Sequence, residues 1–179
     1  MSKVKTQMSK VRYPASRENK FIKKNAQKGF TLIELLVVIA IVALLAALGS
    51  LPAALDDATR CDWEAALPVL ANVDRLIVVG RGPGLAVALE AALKLKETCG
   101  LQAEAFSGAE LRHGPMALVD EGYPLLIFAP RGPAQAGLLE LALDMRQRGA
   151  RVLLAAPAGT PDAQLPLVYT GHEDLDPIA

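Results

Sequence analysis

The amino-acid sequence predicts an α/β fold, a parallel doubly wound sheet of about five strands, preceded by one amino-terminal transmembrane helix. Short apolar runs alternate with helical patterns from residue 74 onward, which is typical of parallel sheets. Ahead of them, residues 35–55 contain no charged side chain. We therefore expect a basic leader at residues 1–29, a transmembrane helix at 30–50 and the α/β domain at 51–179.

The apolar segment is long enough to cross a membrane, since about 20 apolar residues span the hydrocarbon core. A helix buried in a soluble protein is the alternative. The basic flank before the segment favours the membrane, because a helix that is apolar on all sides behind positive charges usually inserts. The prediction is a single-pass protein in the inner membrane of a bacterium, whereas the α/β domain alone would be cytoplasmic.

Charge is distributed unevenly along a chain whose formal net charge is zero. Residues 1–29 carry nine Lys or Arg and one acid, Glu18, so the remainder is acidic. The leader also lacks hydrophobic periodicity, and we expect it to remain unfolded on the cytoplasmic side. The acidic remainder argues against nucleic acid as a partner.

The α/β domain begins with a predicted helical segment at 53–70, in which polar residues alternate with apolar ones. This segment leads to the first strand. The run at 74–80 ends in glycine and predicts a buried parallel strand, followed by a turn and a helix closed by Gly100. Ser107 and Glu110 form a capping-box pattern that predicts a short helix, which Gly114 and Pro115 interrupt. The remaining predicted elements are a short strand at 101–106, strands at 124–129, 151–156 and 165–169, and helices at 85–98 and 134–148.

Cys61 and Cys99 are too few for a disulfide framework, and their spacing is not that of a metal site. We expect two free, mostly buried thiols, no metal ion and no cofactor.

Glycines and an arginine follow the first predicted strand in the loop GRGPGLA. Backbone amides at a helix start can face an anion, and ligands of such folds gather at the carboxyl ends of strands. Gly80, Arg81 and Gly82 are therefore candidate substrate-binding residues. A tight structural turn and a dinucleotide site are alternatives, although Leu85 replaces the third glycine of the dinucleotide motif.

Glu90, Lys94 and Glu97 are spaced so that two carboxylates and one amine lie on one helix face. From spacing alone, the favoured interpretation is a solvated face with an ion pair between Glu90 and Lys94. His113 lies where a helix breaks and could be held in a cleft, although a lone histidine is often incidental.

The sequence KGFTLIE at residues 28–34 resembles the prepilin signal of type IV pilins and pseudopilins. The resemblance implies cleavage after Gly29, methylation of the new amino terminus at Phe30, and pairing of Glu34 with a neighbouring subunit during assembly. A carboxylate within an apolar helix costs about 2.5 to 3.5 kcal/mol on insertion scales, so a partner for Glu34 is physically reasonable.

The sequence ALEAALKLKETCGLQAEAFSGAELRHGPMALV at residues 88–119 resembles the second SIS (sugar isomerase) domain of isomerising glutamine fructose-6-phosphate aminotransferases. It is also similar to SIS-type glucosamine-6-phosphate deaminases. The resemblance implies that Glu97 moves a proton between C1 and C2 of an open-chain sugar and that Lys94 lies beside it. It further implies that His113 assists ring opening in a neighbouring subunit, with a supporting role at most for Glu90.

Two parts of the family's active site have no counterpart in this sequence. The Ser/Thr-rich loop of the first SIS domain, which grips the sugar phosphate, and the carboxyl-terminal lysine that meets the carbonyl are both missing. We expect a truncated SIS domain that binds fructose 6-phosphate or glucosamine 6-phosphate. It would act as a homodimer or with a chain that supplies a first SIS domain. The alternatives are a membrane-anchored pilin-like subunit and a fusion without catalysis.

Overall fold

The computed structural model describes residues 32–172 and 175–178, and its centre is a five-stranded sheet. All of its strands are parallel, and they pair in the order β2-β1-β3-β4-β5. Two residues of the predicted processing site, Gly29 and Phe30, lie outside the described residues. The strands are β1 (Arg75–Gly80), β2 (Gln102–Ser107), β3 (Pro124–Phe128), β4 (Arg151–Pro157) and β5 (Leu165–Leu167).

Helices cover both faces of the sheet, which confirms the predicted doubly wound α/β architecture. The helices are α1 (Leu32–Thr59), α2 (Leu67–Leu70), α3 (Pro83–Cys99), α4 (Gly108–His113) and α5 (Gln135–Gln147). On one face, Ala88 and Ala92 of α3 pack with the β1 residue Val78. On the other face, α4 and α5 bury Leu111 and Leu141.

The central strands are apolar because both of their faces are buried. Val78 and Val79 are neighbours in β1 that point to opposite faces, and neither is exposed to solvent. All five residues of β3 are also buried. A continuous apolar run is what a strand between two helical layers requires, and this is why the sequence revealed these strands.

Helix α3 begins two residues earlier than expected, and it ends before Gly100, as predicted. Gly82 is its N-cap at φ 57°, a conformation that favours glycine, and Pro83 occupies the first turn. Proline suits this position because its missing N–H has no partner inside the helix. Gly100 ends the helix in the left-handed conformation at φ 67°.

The predicted capping box at the start of α4 is confirmed. The Glu110 backbone N–H donates to Ser107 Oγ at 3.1 Å, and the Ser107 backbone N–H donates to Glu110 Oε2 at 2.8 Å. The hydrogen bond from the Ser107 backbone, followed by that with the Ser107 side chain, lowers the pKa of Glu110 below its usual 4.5.

Helix α1 is longer than the expected apolar segment, because it continues past Ser50 to Thr59 with Pro52 inside it. Its most apolar 18-residue window has a mean hydropathy of 2.9 and no buried residue, which makes the helix a candidate membrane span. The extension is reasonable because alanine and leucine, which follow Pro52, have high helix propensity. The described residues divide into two units between Val38 and Ile39, within this helix.

The cysteines are free, as expected, but the expectation that both are mostly buried is wrong. Cys61 is half-buried and Cys99 is exposed. Cys99 is the last residue of α3, where the chain turns at Gly100 away from the helical layer.

Candidate functional site

Helix α3 carries three of the predicted site residues, Glu90, Lys94 and Glu97, and the predicted loop of Gly80, Arg81 and Gly82 lies before its first turn. The helix starts after the carboxyl end of β1 and ends before the amino end of β2, so it runs opposite to the strands. With a rise of about 1.5 Å per residue, Gly82 and Glu97 are roughly 22 Å apart along the helix. The predicted loop and the predicted base therefore lie at opposite ends of the domain.

Glu90, Lys94 and Glu97 form a charged cluster on the exposed side of α3, as their spacing predicted. Lys94 Nζ donates to Glu97 Oε2 at 2.9 Å and lies 3.6 Å from Glu90 Oε1. The Glu97 side chain is 49% exposed, so a ligand can reach its carboxylate. The hydrogen bond with Glu97, followed by the charge of Glu90, raises the pKa of Lys94 and keeps it a cation.

These contacts are also those of an ordinary solvated helix face. Ion pairs between exposed side chains contribute little to stability, because water and salt screen them. The cluster is therefore not needed to hold α3 in place, since the buried alanines on the opposite side of the helix do so.

His113 lies on the other side of the sheet from the charged cluster. It is the exposed last residue of α4, and α4 buries Leu111 against the face opposite α3. The sheet thus separates His113 from Glu97 within one chain. Within one chain, the two side chains therefore do not face a common site.

The loop after β1 is a tight turn. A Cβ at Gly80 would lie 2.1 Å from the backbone oxygen of Gly84, so only glycine fits. Gly84 in turn lies close to Pro130, whose Cγ would be 3.3 Å from a Cβ there. This packing supports the interpretation of the glycine-rich loop as a tight structural turn. Gly80 is buried, whereas Arg81 and Gly82 are exposed.

Sequence reasoning missed Arg131 and the loop that carries it. Arg131 follows β3, which pairs directly with β1, and it lines a cleft of about 200 Å³ together with Arg81. The sequence offered only a weak signal, a proline- and glycine-rich turn after a strand. Recognising the cleft requires the strand order, because β2 rather than β3 follows β1 in the chain.

A second, mostly apolar cleft of about 260 Å³ lies beside the carboxyl ends of β3, β4 and β5. Trp63 lines it, contacts the Phe128 ring at a centroid distance of 6.0 Å and donates from Nε1 to the Pro166 carbonyl oxygen at 3.0 Å. Within residues 32–172 and 175–178, no three His, Cys, Asp or Glu side chains group closely enough to hold a metal ion.

Comparison with protein families identifies two segments of the chain. Residues 69–157 match the SIS domain family, and residues 24–50 match the prokaryotic N-terminal methylation motif. The second match covers the last six residues of the predicted leader, 24–29, and continues into α1 as far as Ser50. Together with the apolar character of that helix, it indicates anchoring in a membrane.

Similar proteins of known identity are isomerising glutamine–fructose-6-phosphate aminotransferases. The chain is 36% identical to that of Zymomonas mobilis over 109 residues, which are 60% of this chain and 18% of the relative. It is 42% identical to that of Methanothermobacter thermautotrophicus over 82 residues, which are 46% of this chain and 14% of the relative. The chain thus spans less than a fifth of the length of these relatives.

Solved structures show the same relationship. One from Silicibacter pomeroyi, described as a phosphosugar isomerase, is 44% identical with a TM-score of 0.67, over 75% of this chain and 41% of that one. The carboxyl-terminal domain of the glucosamine-fructose-6-phosphate aminotransferase from Francisella tularensis is 26% identical with a TM-score of 0.64, over 81% and 42% of the two chains. The α/β domain of this chain is therefore a SIS domain related to those of amino-sugar aminotransferases and phosphosugar isomerases, and it follows a prokaryotic N-terminal methylation motif.

Proposed function

We propose that the SIS domain binds a phosphosugar, fructose 6-phosphate or glucosamine 6-phosphate, at the exposed face of α3 that carries Glu97. The observation that carries the proposal is the 2.9 Å hydrogen bond from Lys94 to Glu97, on an accessible helix face of a domain related to enzymes of these sugars. In this proposal, residues 1–29 are a leader, residues 30–50 are the membrane segment and residues 51–179 are the SIS domain.

The chemistry of the cluster suits proton transfer between neighbouring carbons. The Glu97 carboxylate would remove a proton from C1 of the open-chain ketose while O2 takes up a proton, giving an enediol. It would then return its proton to C2 while O1 loses its hydroxyl proton, which forms the aldose. A base that reaches both carbons contributes a factor of about 10² to 10⁴. Lys94, which stays protonated, would hold the carboxylate in place and face the developing negative charge, while Glu90 supports Lys94.

The proposed site needs groups from a second chain. His113 is separated from Glu97 by the sheet, so it would serve ring opening in the neighbouring subunit of a homodimer. The Ser/Thr-rich loop that grips the sugar phosphate would come from a chain with a first SIS domain. We therefore propose that this chain supplies part of a composite site and does not turn over sugar alone.

Binding measurements test this proposal. The full chain in lipid nanodiscs is titrated with fructose 6-phosphate and glucosamine 6-phosphate by calorimetry, with and without a separate chain that carries a first SIS domain. We expect binding that the added chain strengthens and that Glu97→Gln weakens. The matched control Glu140→Gln changes an exposed glutamate on α5 and should bind as the unmodified chain does. Absence of binding under both conditions would refute the proposal.

A second candidate function is that of a membrane-anchored, pilin-like subunit. The match of residues 24–50 to the methylation motif and the apolar helix α1 favour it. The chain would then cross the inner membrane once, be cleaved after Gly29, carry a methyl group on Phe30 and pair Glu34 with a neighbouring subunit. Mass spectrometry of the amino terminus from membranes of cells that contain a prepilin peptidase tests this, and an uncut, soluble chain would contradict it.

A further inference from the structure

The mostly apolar cleft beside the carboxyl ends of β3, β4 and β5 has no part in the proposed sugar chemistry. Its volume is about 260 Å³, and Gly84 and Val87, in the first turns of α3, line it. Glu97 lies ten residues beyond Val87, which is roughly 15 Å along the helix. The cleft and the charged cluster are therefore separate places on the SIS domain.

The lining of this cleft offers few hydrogen-bond donors. Four of its residues are prolines, which have no backbone N–H: Pro130, Pro157, Pro166 and Pro177. Trp63 Nε1 already donates to the Pro166 carbonyl oxygen at 3.0 Å, so the indole has no donor left for a ligand. A sugar requires partners for its hydroxyl groups when it leaves water. The lining therefore suits a hydrocarbon better than a sugar.

Two charged side chains line the cleft, and they differ in what already binds them. Asp176 Oδ1 accepts two hydrogen bonds from Thr170, one from the backbone N–H and one from Oγ1, each at 2.8 Å. Arg131 forms no ion pair within the described part of the chain. Its guanidinium lies over the Tyr169 ring, with 4.6 Å between Cζ and the ring centroid, which orients it without cancelling its charge. A carboxylate is the ligand group that complements this guanidinium.

Helix α1 places the cleft close to the membrane that anchors the chain. Ala58, in the last turn of α1, and Cys61, just after the helix, both line the cleft. Residues 51–55 continue the uncharged part of α1, and charges begin at Asp56. Ala58 is thus roughly 4.5 Å along the helix from Leu55, the end of the uncharged part. Molecules with an apolar chain and a charged head concentrate at this boundary of a bilayer.

We propose that this cleft binds the acyl chain of a medium-length fatty acid from the membrane, with the carboxylate at Arg131. An apolar cavity of about 150 Å³ accepts a benzene-sized molecule, whereas sites for drug-sized molecules have roughly 300–1,000 Å³. A volume of about 260 Å³ therefore suits part of one chain rather than the two chains of a phospholipid. The chain would pack on Trp63 and Val87, and burial of its methylene groups would supply most of the affinity.

Quenching of Trp63 fluorescence tests the proposal, because Trp63 is the single tryptophan and lines the cleft. The full chain in phosphatidylcholine nanodiscs is titrated with decanoate that carries bromine on its last carbon, since bromine quenches an indole that it contacts. We expect saturable quenching. Val87→Phe and Ala58→Leu narrow the cleft from two walls and should raise the half-quenching concentration about tenfold. Leu143→Phe is the matched control, since it adds the same ring at an exposed position of α5.

A decanol with the same bromine separates the contribution of the charge from that of the chain. Arg131→Gln should weaken binding of the decanoate about tenfold, because a charge-assisted hydrogen bond is lost, and should leave binding of the decanol unchanged. Arg148→Gln removes an exposed charge at the far end of α5 and should bind both probes as the unmodified chain does. Equal weakening in Arg148→Gln would show general charge attraction and overturn the pairing with Arg131.

Three further results would overturn the proposal. Quenching that does not saturate, or that is the same in Val87→Phe, Ala58→Leu and the unmodified chain, would show contact of Trp63 with the bilayer only. Displacement of the decanoate by excess fructose 6-phosphate would show that the cleft belongs to a sugar site. The proposed function is tested separately, because sugar binding at Glu97 and quenching of Trp63 are measured with different ligands.

Discussion

The tight turn at Gly80 gives a clear prediction about stability. A side chain at this position would clash with backbone atoms, which cannot move aside as a flexible side chain can. In Gly80→Ala, the new Cβ would lie 2.1 Å from the Gly84 oxygen, 2.5 Å from the Gly84 carbonyl carbon and 2.8 Å from the Leu85 nitrogen. Ordinary contacts begin at 3.4 Å, so the start of α3 must move away from β1 by roughly 1 Å or more.

This displacement should lower the free energy of unfolding of Gly80→Ala. Overpacking a filled site costs typically 1–3 kcal/mol, and the upper end, about 3 kcal/mol, applies because the clash involves backbone on both sides. With an m value of about 1.5 kcal/mol per molar urea, the unfolding midpoint should fall by about 2 M. Such a loss is a large part of the roughly 5–15 kcal/mol that stabilises an ordinary domain.

Urea unfolding followed by tryptophan fluorescence measures the effect in the full chain in micelles. Trp63 is the single tryptophan, and it packs against Phe128, so its emission reports on the SIS domain. Gly137→Ala is the control, because its Cβ would have no neighbour closer than 3.9 Å and α5 should gain about 0.5–1 kcal/mol. A Gly80→Ala midpoint equal to that of the unmodified chain would refute the close approach of Gly84.

Three further predictions use the same unfolding assay. Leu111→Ala should lower the free energy of unfolding by about 3 kcal/mol because Leu111 is fully buried. Leu118 is 61% exposed, so Leu118→Ala should change the free energy of unfolding by less than about 0.5 kcal/mol. Equal effects of the two substitutions would contradict the assigned core. Glu110→Gln should be less stable than the unmodified chain above pH 4.5, and the difference should vanish as the pH falls through the lowered pKa of Glu110; a difference that persists in acid would contradict the capping box. Lys94→Met should leave the urea midpoint unchanged because the ion pairs of Lys94 are exposed, and a clear loss would show that the cluster is structural.

The features that the sequence revealed depend on residues that are close together in the chain. The capping box involves Ser107 and Glu110, three positions apart, and the charged cluster involves one helix face whose spacing fixes its geometry. The strands could also be predicted from the sequence, because a strand that is buried on both faces consists of a continuous apolar run. Local sequence patterns therefore predicted the strands and helices of the α/β domain, the end of α3 at Gly100, and the charged cluster on α3.

The features that the sequence did not reveal depend on strand order and on packing between distant segments. Arg81 and Arg131 line the same cleft only because β3 lies beside β1. His113 is separated from Glu97 only because α3 and α4 cover opposite faces of the sheet. The exposure of Cys99 follows from its position at the end of α3, where a buried thiol had been expected.

We propose that Glu97 moves a proton on an open-chain phosphosugar, and solvent isotope exchange is the experiment that decides this. The full chain, mixed with a chain that carries a first SIS domain, is incubated with fructose 6-phosphate in D₂O, and proton NMR follows deuterium entering C1. We predict exchange that falls by about 10² to 10⁴ in Glu97→Gln and is unchanged in Glu140→Gln. Equal exchange in Glu97→Gln and the unmodified chain, or no exchange in any mixture, would contradict the claim.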